Sequence, residues 1–77
     1  MKSKTINKMK KLHYSELTIG QIYYLDESFD NIGLLLEINE NDIVFKSIKN
    51  RRFYETENGN IEFFLNENMY FYEKENQ

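Results

Sequence analysis

Apolar and polar residues alternate through residues 32–65, and this stretch organises the predicted fold. Apolar side chains fall on every second position in two runs: Ile32, Leu34, Leu36 and Ile38, then Ile43 and Phe45. Side chains two residues apart share one face of a strand, so this spacing predicts strands that bury one face. We expect four short strands joined by three tight turns, with Leu34, Leu36 and Ile38 facing the core.

Polar clusters mark the predicted turns. Residues 39–42 read Asn-Glu-Asn-Asp, and these residue types tolerate left-handed backbone angles, so a hairpin turn is expected there. A second turn at residues 49–51 leads into a predicted strand at residues 52–57. The Asn-Gly pair at residues 58–59 then predicts a type I′ turn, which needs positive φ at both central residues. Gly33, early in its strand, predicts a bulge or a close crossing of two backbones.

The flanking segments complete the predicted domain. Residues 1–13 hold five lysines and few apolar residues, and they predict a flexible or weakly helical basic tail. A strand that is apolar on both faces is expected at residues 21–26, and a last short strand at residues 69–73. Residues 14–77 are therefore predicted to form one small domain.

Five or six short strands with tight turns predict an all-β fold, a small antiparallel barrel that is partly open. The segments ELTIGQIYYLD, NEN and MYFYE, separated by a loop and hairpin-linked strands, follow the order of the Src-homology-3-like small barrels. Residues 17–73 resemble that family at the level of architecture. The chain has no tryptophan and no ALYDY-like start, so the resemblance does not imply binding of proline-rich peptides. In its general character the sequence also resembles small bacteriophage proteins, which often act by binding a host protein.

Composition and charge narrow the classes of function. The 77 residues contain no cysteine, so we expect one domain without disulfides or thiolate metal sites. Lysines concentrate in residues 1–11, whereas residues 12–77 carry 13 acidic against five basic residues, a formal charge of −8. No apolar run reaches the roughly 20 residues that span a bilayer, so a cytoplasmic protein with no membrane partner is expected.

Residue types that carry chemistry are sparse. His13 is the only histidine, and no nucleophile stands in a recognisable setting near it, so enzymatic activity is not expected. Asp26, Ser28 and Asp30 place oxygen atoms at alternate positions, as a calcium loop does, but Asn31 stands where such a loop carries glycine. We therefore predict a solvated loop, with no metal site and no cofactor.

The surplus of aromatic residues is the stronger functional signal, because the chain holds more apolar side chains than a small barrel can enclose. Six residues are candidates for the outer faces and for a partner-binding surface: Tyr23, Leu35, Tyr54, Phe64, Tyr70 and Tyr72. Tyrosine offers a large contact area at little entropic cost and is enriched at interfaces. An exposed patch of this kind predicts a partner site or a self-association face.

Three hypotheses of function follow. The leading one is a non-enzymatic module whose acidic, tyrosine-rich surface binds another protein. A phage origin would make that partner a nucleic-acid or defence enzyme of the host, such as a CRISPR effector, and this chain its inhibitor. The first alternative is nucleic-acid binding by the basic and aromatic hairpin at residues 46–54 with the N-terminal lysines, and its cations are Lys46, Lys49, Arg51 and Arg52. The second alternative is a structural subunit or a homodimer that covers its own apolar face.

Overall fold

The computed structural model describes residues 9–74 of the 77 and places six antiparallel strands of this range in one open sheet. The strands are β1 (Met9–His13), β2 (Ile22–Tyr24), β3 (Ile32–Ile38), β4 (Asp42–Lys49), β5 (Asn60–Phe64) and β6 (Tyr70–Lys74), and a single 3-10 turn (Tyr14–Glu16) follows β1. The order across the sheet is β1-β6-β2-β3-β4-β5. The predicted all-β class is confirmed.

The sheet curls so that strands distant in its order meet across the core. The ring of Phe71 on β6 lies 4.9 Å from that of Phe45 on β4 and 5.6 Å from that of Phe63 on β5. In the sheet order, two strands separate β6 from β4 and three separate it from β5. One side of the sheet is therefore folded inward around these rings, and we call this side the inner face and the opposite side the outer face.

The predicted phase of β3 is wrong by one residue at Leu34 and Leu36, whereas Ile38 packs against the core as predicted. Leu35, which was expected to point outward, has no exposed surface, whereas Leu34 and Leu36 are only half-buried. The pairing of β3 with β4 shifts between Leu35 and Glu37, so Leu36 is an extra residue in the ladder. This bulge turns both Leu35 and Ile38 toward the core, although they are three residues apart and a regular strand would separate them.

Gly33 allows a close approach between β3 and β4, as its position in the strand predicted. A Cβ atom at this position would lie 2.8 Å from the Cβ of Phe45, which is closer than two such carbons can pack. The strand register also shifts between Ile32 and Gly33. Glycine therefore makes room for the largest buried side chain of β4.

The strand predicted at residues 52–57 is wrong, because residues 50–59 form a loop and residues 32–65 contain three strands. The side chain of Asn50 holds this loop in place of a strand ladder. Its Oδ1 accepts hydrogen bonds from the backbone N–H groups of Arg52 and Phe53, and its Nδ2 donates to the Phe53 carbonyl. A local asparagine network thus replaces the cross-strand pairing that the sequence pattern suggested.

The turn at the end of this loop is not of type I′. Gly59 has φ +78°, as predicted, but Asn58 is not among the residues with positive φ. The N–H of Gly59 donates to the carbonyl of Thr56 over 2.9 Å, which closes a four-residue turn one residue earlier than expected. By contrast, the turn at residues 39–42 is confirmed, and the Asn39 N–H donates to the Asp42 carbonyl there.

Part of the predicted basic tail belongs to the sheet. Met9–His13 pairs along its whole length with β6, and Leu12 is buried opposite Phe71. The predicted boundary at residue 13 is therefore wrong for these five residues. Residues 1–8 and 75–77 lie outside the described range, so the remainder of the predicted tail stays a prediction.

Candidate interaction surface

Two of the six predicted partner-binding residues are parts of the core. Tyr23 is 4% exposed and Leu35 is fully buried, so the prediction that they lie on an outer face is wrong. Tyr23 tolerates burial because its hydroxyl accepts a hydrogen bond from the Thr18 N–H over 2.9 Å. Because this strand is apolar on both faces, the sequence pattern could not show which of its residues face the core.

Two further predicted residues are highly exposed and do not line a groove with the others. Tyr54 is 84% exposed in the loop before β5, and Phe64 is 80% exposed as the last residue of β5. Their chain neighbours Phe53 and Phe63 pack edge-on against each other at 5.1 Å. The loop that carries Tyr54 therefore folds back along β5.

The last two predicted residues line a common groove. Tyr70 and Tyr72 lie on the outer face of β6, because Phe71 between them is buried. They bound a groove of about 520 Å³ together with the start of the 25–31 loop and one cation of the β4–β5 loop. Its lining residues are Leu25, Asp26, Glu27, Ser28, Arg52, Tyr70 and Tyr72. We call this cavity the tyrosine groove.

A smaller recess of about 320 Å³ adjoins the tyrosine groove on the side of β1. It is lined by Met9, Lys11, Glu27, Phe29 and Tyr72. Glu27 and Tyr72 belong to both cavities, and the hydroxyl of Tyr72 donates to Oε2 of Glu27 over 3.2 Å. The two recesses therefore adjoin each other, and the contact between Tyr72 and Glu27 lies at their boundary.

The carboxylate of Asp26 shapes the wall of the tyrosine groove. Its Oδ1 accepts hydrogen bonds from the N–H and hydroxyl of Ser28, and its Oδ2 accepts from Asn31 and from the Arg52 guanidinium at 3.1 Å. Burial alone would raise the pKa of Asp26, but these hydrogen bonds outweigh it and hold the pKa below its ordinary value. Asp26 is therefore an anchor that stays ionised and keeps Arg52 at the groove.

Tyr72 is electrostatically coupled to the same acidic wall. Burial raises its pKa, and the nearby charges of Glu27 and Asp26 raise it further because they disfavour a phenolate. Tyr72 therefore keeps its proton and remains a hydrogen-bond donor. A neutral ring therefore lies beside an exposed carboxylate at this point of the groove.

Two side chains of β1 contact the ring of Tyr70. The ammonium of Lys11 lies 4.6 Å from the centre of its ring, and the ring of His13 packs edge-on at 5.3 Å. Nδ1 of His13 accepts a hydrogen bond from the Ser15 N–H, so Nε2 carries the proton that bonds the Glu67 carbonyl at 2.7 Å. His13 thus connects β1 to the turn before β6, a structural role that its position at a predicted tail did not suggest.

The basic hairpin proposed for nucleic acid is partly neutralised by the 25–31 loop. Lys49 pairs with Asp30 at 3.4 Å, and Arg52 pairs with Asp26 at 3.1 Å. The guanidinium of Arg52 also lies 5.0 Å from the ring of Phe53. Lys46 and Arg51 are exposed at other positions. These ion pairs reduce the positive potential that a phosphate backbone would need, and they disfavour the nucleic-acid hypothesis.

The structure shows an apolar band on the outer face that the sequence pattern did not predict. Ile22 is 57% exposed and Ile48 is 53% exposed. Leu34 pairs with Ile22, and Leu36 continues the outer face, whereas Val44 on the same face is only 7% exposed. We call the four residues that keep exposed surface the outer band: Ile22, Leu34, Leu36 and Ile48. The available signal was the run of three leucines in β3, which is apolar on both faces of a strand.

Residues 9–74 contain neither a cluster of metal-ligating side chains nor a helix that could cross a membrane. No group of three or more His, Cys, Asp or Glu side chains in this range is arranged to hold a metal ion. No helix within it has the length and apolarity to cross a bilayer. Comparisons with protein-family models, curated proteins and solved structures give no match to this chain.

Proposed function

We propose that this chain is a non-enzymatic cytoplasmic module that binds another protein through the tyrosine groove. The groove volume of about 520 Å³ suits a few side chains of a partner. Tyrosine and arginine are the residue types that most often dominate binding energy, and Tyr70, Tyr72 and Arg52 meet there. This convergence is the single observation that carries the proposal.

The architecture proposed for the module is the Src-homology-3-like small barrel. Strand β2 pairs with both β3 and β6, so the first and last strands of the region that resembles this family lie side by side. The curl of the sheet around Phe45 and Phe71 supports the same arrangement. The groove then lies between the last strand and the loop that follows β2.

The partner that we propose presents a basic surface. Residues 12–77 have a formal charge of −8, and the groove exposes the carboxylate of Glu27. Opposite potentials accelerate association and exclude wrong partners. Enzymes that act on nucleic acids have basic grooves, so a host enzyme of this class, including a CRISPR effector, fits the charge. The chain would act as an inhibitor by occupying the path of the nucleic acid.

The hydrogen bonds of His13, the only histidine in the sequence, support the non-enzymatic part of the proposal. The two ring nitrogens of His13 are engaged with Ser15 and with the Glu67 carbonyl. A general base must instead reach the proton of a substrate. His13 in this setting stabilises the fold and is not free for chemistry.

Affinity purification from host lysate, followed by mass spectrometry and a binary binding assay, tests the proposal. We compare the wild type with Glu27→Lys, which reverses the exposed charge of the groove. The matched control is Glu40→Lys, an equal charge change at an exposed residue of the β3–β4 turn. We expect Glu27→Lys to weaken the binding of the captured protein by about tenfold or more and Glu40→Lys to leave it nearly unchanged.

Two outcomes would contradict the proposal. One is the recovery of nucleic acid without any protein partner. The other is a captured protein whose affinity falls equally for both variants, because that result would reflect net charge and not the groove. Circular dichroism of each variant establishes that the fold is retained.

A further inference from the structure

The smaller recess beside the tyrosine groove combines two aromatic rings with one exposed carboxylate. The rings are those of Phe29 and Tyr72, the carboxylate is that of Glu27, and Met9 and Lys11 complete the lining. The hydroxyl of Tyr72 donates to Oε2 of Glu27 over 3.2 Å. Aromatic faces and carboxylates both attract cations, so this lining favours a positively charged side chain.

Glu27 is not neutralised as the other acidic residues of its loop are. Asp26 pairs with Arg52 at 3.1 Å, and Asp30 pairs with Lys49 at 3.4 Å. In the described part of the chain, no lysine or arginine nitrogen lies within 4.0 Å of the Glu27 carboxylate. Glu27 therefore offers its negative charge to a cation of a partner.

The neighbouring ion pair shows how this surface holds a guanidinium group. The guanidinium of Arg52 contacts the carboxylate of Asp26 and lies 5.0 Å from the ring of Phe53. A carboxylate and an aromatic ring together complement the charge and the flat face of this group. Glu27 and the two rings of the smaller recess supply the same combination of partners.

The backbone of Phe29 is an independent indication of a site. Its φ is +67°, and no other non-glycine residue between Met9 and Lys74 has a positive φ. A bulky side chain is strained in this region, and strained residues concentrate at functional sites. The loop supports the strain through the Leu25 N–H, which donates to the Asn31 carbonyl over 2.8 Å. The loop thus holds the Phe29 ring at the recess.

We propose that the smaller recess receives an arginine side chain of the protein partner. The guanidinium donates to the Glu27 carboxylate and packs on the rings of Phe29 and Tyr72, and its aliphatic stem passes Met9. Arginine fits better than lysine, because its planar fork binds a carboxylate through two N–H groups and stacks on aromatic rings. The inference deepens the proposed function and rests on it, since a basic partner surface supplies such side chains.

NMR titration of the full chain with N-acetyl-arginine methylamide tests the site without any partner. The corresponding lysine and citrulline compounds are the matched probes, because citrulline keeps the shape of arginine without its charge. We expect the arginine probe to shift the signals of Met9, Phe29 and Tyr72 and to bind more tightly than the lysine probe. The citrulline probe should leave these signals unchanged. Equal binding of the arginine and lysine probes, or no shifts at the recess, would overturn the inference.

Charge variants sharpen the titration in opposite directions. Glu27→Gln should raise the dissociation constant of the arginine probe by about tenfold. Lys11→Gln should lower it by about twofold, because Lys11 lines the same recess and repels a second cation. The matched controls are Glu40→Gln and Lys46→Gln at exposed residues outside the recess. Changes of equal size in the controls would reflect net charge and overturn the inference.

Phe29→Asn tests the contribution of the ring. Asparagine tolerates a positive φ, so the loop conformation is retained while the aromatic face is removed. We expect the arginine probe to bind about fivefold more weakly to this variant. Circular dichroism verifies that each variant is folded, and an unchanged affinity in folded Phe29→Asn would contradict the proposed contact.

Capture of a partner from lysate separates this inference from the proposed function. A captured protein whose binding depends on Glu27, together with an arginine probe that does not bind at the recess, would overturn the inference alone. An arginine probe that binds as expected, together with the recovery of nucleic acid and no protein, would uphold the site and contradict the proposed function.

Discussion

The two faces of β3 and β4 both carry apolar side chains, but one face is enclosed more completely than the other. Leu35 and Phe45 on the inner face have no exposed surface, whereas Ile48 on the outer face is 53% exposed. The difference comes from curvature, because a curled sheet encloses the side chains on its concave side and spreads those on its convex side. Apolar character alone therefore does not determine burial.

Replacing one phenylalanine on each face should give the largest contrast. Phe45→Ala removes a fully buried ring that contacts Phe63 and Phe71, and we expect the free energy of unfolding to fall by about 3–5 kcal/mol. Phe64→Ala removes an equal number of atoms at an exposed position and should change it by less than about 0.5 kcal/mol. Urea denaturation of both variants measures the contrast, and equal losses would show that the assignment of the faces is incorrect.

The contact of Gly33 with Phe45 should produce the next largest effect. Gly33→Ala places a methyl group against the Phe45 Cβ, and we expect a loss of about 1–3 kcal/mol from overpacking. The same substitution in a Phe45→Ala background should cost somewhat less, because the two ring carbons at 3.2 Å are removed while the Cβ at 2.8 Å stays. Chemical denaturation of the four chains in this double-mutant cycle measures the coupling, and purely additive losses would argue against a contribution from the ring carbons.

Asp26 should stabilise the fold by holding the 25–31 loop in place. We expect Asp26→Asn to lower the free energy of unfolding by about 1 kcal/mol at pH 7, because it weakens the hydrogen bonds to Ser28 and Arg52. The folded-state pKa of Asp26 is below its ordinary value of about 3.8. Its ionised form therefore stabilises the fold above that pH, and this contribution disappears as the pH falls through the folded-state pKa. Thermal unfolding from pH 7 to pH 2 should show the two chains converging, whereas a constant difference would contradict this assignment.

The smallest effect concerns the coupling between Tyr72 and Glu27. Removing the charge in Glu27→Gln should lower the pKa of Tyr72 toward its ordinary value of 10.0, although the part that burial causes should remain. Ultraviolet difference titration of tyrosine against Tyr72→Phe isolates the signal of this residue. Glu40→Gln is the matched control at a distant carboxylate, and an equal change in that variant would point to net charge alone.

Several features of the fold were accessible from local sequence signals. The polar residues at 39–42 predicted a turn because asparagine and aspartate bond their own backbone, and the turn is present. The position of Gly33 predicted a close approach between strands, and Phe45 provides it. Tyr70 and Tyr72 were predicted to lie on an outer face, and alternation around Phe71 places them there.

Other features depended on contacts between distant residues. The alternation in β3 was compatible with either face pointing inward, since Leu34, Leu35 and Leu36 are equally apolar. The bulge at Leu36 arises only when β3 pairs with β4. The strand predicted at residues 52–57 was replaced by the hydrogen bonds of Asn50, a side chain whose choice of partners no local spacing reveals.

The alternation of apolar and polar residues was enough to predict short strands, because a period of two is a local property of the backbone. Contacts between distant strands set which face is enclosed, pair Met9–His13 with β6, and bring Arg52 to Tyr70 and Tyr72 in one groove. These outcomes depend on strand pairing and curvature, which join residues as far apart as Met9 and Lys74, and no single segment contains both partners of those contacts.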